Sequence, residues 1–92
     1  LGKFLMNTLI KVTHKCSWEE IEARITYDMK DHAGKFITNY SLFKENENSL
    51  IWLADVLNYK ELKKMMNSPE EKALDKEMGV KYQFYSLEPL EV

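Results

Sequence analysis

Basic residues are in no surplus here. Lysine and arginine total 13 against 15 aspartates and glutamates, a net charge of −2, and the lysines are dispersed among glutamates. That leaves no basic footprint for nucleic acid. Cysteine is nearly missing: Cys16 alone permits no internal disulfide, which fits a reducing compartment and makes a cytoplasmic location the expectation. No apolar run approaches the roughly 20 residues of a membrane span. The stretch from Leu1 to Ile10 is broken by Lys3, Asn7 and Thr8, so neither a membrane partner nor a signal peptide is expected. A start at Leu1 instead of methionine suggests a processed end or a cloning remnant. Glycine is scarce, and Gly2, Gly34 and Gly79 stand too far apart for a phosphate-cradling loop. His14 and His32 lack metal-ligand spacing and no acidic cluster joins them, so no metal is expected.

What is present is a globular composition. Of 92 residues, 45% are hydrophobic and 30% charged, which suits one domain over residues 1–92 with a modest core. The stretch Leu50-Ile51-Trp52-Leu53-Ala54-Asp55-Val56-Leu57 holds a single charge and is bounded by Asn48-Ser49 and Asn58. Its length and its Val, Ile and Trp content predict a strand covered on both faces.

The other elements follow in order. Phe4 to Thr13 alternates as a first strand. Ser17-Trp18-Glu19-Glu20 is a capping box with Cys16 and Ile21 at staple positions. It opens a helix whose apolar face carries Trp18, Ile21, Ile25, Met29 and His32, with Glu19, Glu22, Arg24 and Lys30 mostly off it. Gly34 is expected to close that helix at a positive φ. Lys35 to Lys44 alternates as a second strand, and Glu45–Asn48 is a hairpin connection. Asn58-Tyr59-Lys60-Glu61 reads as a second capping box, for a short helix with Leu62, Met65 and Met66. Ser68-Pro69-Glu70-Glu71 starts a third helix, with Pro69 at N1, and Gly79 stops it. Val80 to Leu87 is the last strand, and Glu88-Pro89 begins a tail.

Residues 4–44 and 50–87 are thus two βαβ halves, the second with a broken helix. The expectation is an α+β, ferredoxin-like βαββαβ fold: a four-stranded antiparallel sheet of order 4-1-3-2 with every helix on one face. Strand parity sends Met6, Ile10, Val12, Leu50, Trp52, Ala54 and Val56 beneath the helices. It sends Leu5, Leu9, Ile37, Phe43, Ile51, Leu53, Tyr85 and Leu87, together with a Lys11–Asp55 pair, to the bare face. That apolar patch exceeds the roughly 400 Å² a monomer comfortably exposes, so a homodimer through the helix-free face is expected.

The two βαβ halves, the broken second helix and the segment from Ser68-Pro69-Glu70-Glu71 to Gly79 resemble the dimeric α/β-barrel superfamily across residues 4 to 87. The resemblance implies that two ferredoxin-like subunits pack their sheets into a barrel. It also implies a pocket between sheet and helices for an apolar or aromatic ligand, as in several members, or the chemistry of its cofactor-independent monooxygenases and isomerases. Site candidates are Met6, Met29, His32, Tyr40, Trp52 and Tyr82: apolar walls with methionine adaptability, and a histidine or phenol to fix a polar end. For each, ordinary core packing or helix-end placement is the competing reading. Cys16 lies beside His14 and Lys15 before a helix start, which favours a thiolate, although a staple role explains it too. The expected function is binding of a small apolar or amphipathic, fatty-acid-like or aromatic ligand, with no cofactor. The alternatives are a cofactor-independent enzyme and a purely structural dimer.

Overall fold

The computed structural model describes residues 6–91. Phe4 and Leu5, expected in the first strand, lie outside the described residues. The elements are β1 (Thr8–Thr13), α1 (Trp18–Asp31), a 3-10 turn (Ala33–Lys35), β2 (Ile37–Asn46), β3 (Ser49–Val56), α2 (Tyr59–Met66), α3 (Pro69–Met78) and β4 (Lys81–Ser86). The fold is α+β: a four-stranded antiparallel sheet of order β2-β3-β1-β4 and three α-helices, compatible with the expected ferredoxin-like order. Among the described residues no helix is long and apolar enough to cross a membrane.

Local chemistry sets the helix ends. The Ser17 hydroxyl accepts from the Glu20 N–H at 3.1 Å while the Glu20 carboxylate accepts from the Ser17 N–H at 3.2 Å, a complete box. At Asn58 and Ser68 only the N-cap half forms, with the side chains accepting from Glu61 N–H at 3.1 Å and Glu71 N–H at 3.3 Å. Gly79 takes φ 64° at the end of α3, as expected of a C-terminal glycine. Gly34 corrects its expectation. The helix ends at Asp31, and Gly34 lies in the 3-10 turn without a positive φ. A Cβ there would collide with the Met29 carbonyl oxygen, so close backbone approach is what requires glycine.

Period-two burial organises the sheet. Ile10, Val12, Leu50, Trp52, Ala54 and Val56 form one core with Ile21, Ile25 and Leu62 of the helices. On the other face, Leu9 stands opposite Leu53 and Tyr85, and Ile51 opposite Phe43. Leu9, Ile51 and Leu53 are half-buried, and Phe43 and Tyr85 are exposed.

Two expectations for this face are corrected. Antiparallel pairing puts Lys11 opposite Ile51 and far along β3 from Asp55. Lys11 instead pairs with Glu45 at 2.7 Å, and Asp55 accepts from the Thr38 hydroxyl at 3.0 Å. Ile37 is 4% exposed and belongs to the core. A register shift between Ile37 and Asn39 leaves Thr38 as the extra residue, so Ile37 stands opposite Val56 and turns under the helices.

Candidate functional site

The six candidates do not meet around one cavity. Trp52 is 3% exposed in the core, with Met29 and Tyr40 packed against it, and Met6 is half-buried just before β1. His32 is exposed. Helical geometry stops at Asp31 and His32 takes φ −119° and ψ −81°, so the 3.6-residue period no longer aims it inward. Its ring lies 5.7 Å from Tyr27, and it borders a surface hollow with Lys35, Phe36, Glu61 and Met65. Tyr82 lines a cleft over β4. Cys16 is not a poised thiolate: burial, and then the nearby Glu20 charge, push its pKa up. His14 is buried, and its Nδ1–H donates to the Cys16 carbonyl at 2.8 Å.

The buried stripe of α1 is Ile21, Arg24, Ile25 and Asp28, so Arg24 lies on the core side instead of off it. Arg24 Nη2 donates to Asp75 Oδ1 at 2.8 Å, to the Glu71 carbonyl at 3.3 Å and to Glu71 Oε1 at 3.5 Å. Its side chain is 6% exposed. One guanidinium therefore stands among three carboxyls, those of Asp28 and Glu71, both buried, and of Asp75, half-buried. Burial first, then a hydrogen bond and charge from Glu71, raise the Asp28 pKa to about 7, against the opposing pull of Arg24. Burial likewise pushes the Tyr82 phenol up. Among the described residues no three His, Cys, Asp or Glu side chains are grouped to hold a metal.

Beside this cluster lies a cleft over β4. Tyr82 and Phe84 stand opposite Val12 and Ile10, hence on the helix side of the sheet, but both stay half-exposed where Val12 and Ile10 are fully covered. The helical layer thus stops short of the edge strand. The gap is about 430 Å³, floored by Tyr59, Met66, Val80, Tyr82 and Phe84 and rimmed by Lys63, Lys72, Lys81, Asn67 and Asp75. Tyr59, at the first position of α2, sets its ring edge-on to Phe84 with centroids 5.7 Å apart and planes at 78°. A second lobe of about 470 Å³ shares Tyr59 and Phe84 with the cleft and is lined further by Thr8, Val56, Leu87 and Glu88. Asp75 and Tyr82 belong to both cleft and buried cluster, so the cleft wall is held by the Arg24 ion pair.

Neither the known protein-family models nor the curated proteins include a match to this chain.

Proposed function

We propose that the chain is a ferredoxin-like subunit of the dimeric α/β-barrel kind that binds a small amphipathic ligand in the cleft over β4. The observation that carries the ligand reading is the incomplete helical cover of Tyr82 and Phe84, which leaves a concave, mostly apolar site with a few polar groups at its rim. The site lies between sheet and helices, where a ligand was expected, but with Tyr59, Met66, Tyr82 and Phe84 as its floor in place of Met6, Tyr40 and Trp52. Replacing Tyr59, 47% exposed, tests it. Tyr59→Ala should cost about 0.5–1.5 kcal/mol for the aromatic pair, in addition to the area the ring buries. It should also abolish the rise in melting midpoint that medium-chain fatty acids or aromatic carboxylates give the wild type. No midpoint rise with any compound of such a panel leaves the structural dimer as the better reading.

Dimerisation uses the bare face. Leu9, Ile51, Leu53, Phe43 and Tyr85 adjoin one another across all four strands, with the Lys11–Glu45 pair among them. At roughly 25 cal/mol per Å² a second copy covering such a patch gains several kcal/mol. Leu53→Asp places an unpaired charge at its centre and should convert a dimer into a monomer by sedimentation velocity at micromolar concentration. A wild-type monomer under the same conditions refutes the dimer.

One observation favours an enzyme as second reading. Asp28, with its pKa at about 7, is a carboxyl suited to proton transfer at neutral pH. It does not line the cleft, however, so ligand binding is the better supported of the two.

A further inference from the structure

Resting on the reading of this cleft as a ligand site, we propose that its ligand is a free long-chain carboxylic acid, held head-first. The carboxylate lies at Lys63 and Lys72 and the hydrocarbon passes the Tyr59–Phe84 pair into the second lobe. The charge distribution carries the argument. Among the described residues the ion pairs engage Lys11, Lys44 and Arg24, so Lys63, Lys72 and Lys81 have no carboxylate partner. The single acid on the cleft wall, Asp75, is held by Arg24 at 2.8 Å. Lys63 and Lys72, one from each of two helices, therefore stand at one end of the groove without a counter-charge, in a chain whose net charge is −2.

Nothing comparable lies at the other end. The second lobe has Val56, Leu87, Phe84 and Tyr59 among its walls, with Glu88 as its one charged residue and no lysine or arginine. Lysines at one end, and apolar walls with one acid and no cation at the other, match an anionic head at the lysines and an apolar tail beyond the Tyr59–Phe84 pair. Volumes of about 430 and 470 Å³ suit one small ligand instead of a bilayer surface. The head belongs with the lysines because a carboxylate gains charge-assisted hydrogen bonds there.

Titration calorimetry with dodecanoate, dodecanol and dodecyltrimethylammonium, all below micellar concentration, tests this. Wild type should bind the acid at least about tenfold more tightly than the alcohol, the effect expected of a hydrogen bond to a charged group. The ammonium compound should bind more weakly than either. Acid affinity should rise from hexanoate to dodecanoate. Lys63→Gln combined with Lys72→Gln changes two exposed side chains and should remove the acid's advantage over the alcohol. Equal binding of acid and alcohol, a lysine variant that keeps the preference, or affinity independent of chain length overturns the inference while the cleft still stands as a ligand site. Binding of none of the compounds overturns both. Co-sedimentation with phosphatidylglycerol vesicles without binding of dodecanoate overturns the free-acid assignment in favour of a membrane surface.

Discussion

Replacing Arg24 by methionine should cost about 3–5 kcal/mol, the usual loss when one partner of a buried ion cluster is removed. Methionine fills much of the same space, so the loss is electrostatic. Asp75 and Glu71 lose the donor that stands 2.8 and 3.5 Å away, and Asp28 loses the one charge that opposes its protonation. Against a total stability of about 5–15 kcal/mol for an ordinary domain, that is a large share. Urea unfolding at pH 7.5 measures it. Adding Glu71→Gln and Asp75→Asn should restore most of the loss, because the stranded charges are then gone. A loss below about 1 kcal/mol, the range of a surface salt bridge, shows that these groups are solvated.

Asp28→Asn should have the second largest effect, in the opposite direction. The Asp28 carboxyl titrates at about 7 in the folded chain against 3.8 for the free side chain. Between those values the folded state holds a proton that the unfolded state has released. Stability from this group is therefore complete below about pH 4, declines as pH rises towards 7, and is level above that; the fall is on the order of a few kcal/mol. Asparagine keeps a donor for Glu71 and never ionises, so the variant should be more stable than wild type at pH 8 and nearly flat between pH 5 and 8. Glu20 and Glu45, whose pKa values are lowered by Ser17 and by Lys11 with Ser49, act the other way, since their contribution is lost as pH falls below their ordinary 4.5. They do not intrude above pH 5. Denaturation midpoints at pH 5 and 8 decide the matter, and a wild type more stable at pH 8 than at pH 5 contradicts the assignment.

Much of the architecture was legible because local signals agreed with one another. Ser17, Asn58 and Ser68 cap the helices that the apolar spacing predicts, Gly79 ends α3 with the expected positive φ, and alternation along β1, β3 and β4 gives the correct buried face. The failures come where one residue changes the phase or where charge is read as exposure. Thr38 adds a residue to β2 and reverses Ile37. His32 lies one position past the helix whose period was extended to it. Arg24 shares the Ile21–Ile25 stripe with Asp28, but its charge pointed to solvent; the partners that let it stay buried, Glu71 and Asp75, are more than forty residues away. Spacing within one helix carries no information about a counter-charge on another. The cleft was missed for a related reason: Tyr82 and Phe84 obey strand parity, and only the extent of the helical layer leaves them partly open.

The bulge at Thr38 also bears on which contacts the sheet edge can make. β2 is an edge strand, and its register shifts near both ends, between Ile37 and Asn39 and between Lys44 and Asn46. An incoming strand that followed a regular hydrogen-bond ladder would fall out of step at each shift. Docking of sheet faces closes after two copies, whereas strand addition along an edge has no natural end. The residue that hides Ile37 therefore also guards this edge of the sheet against open-ended strand addition.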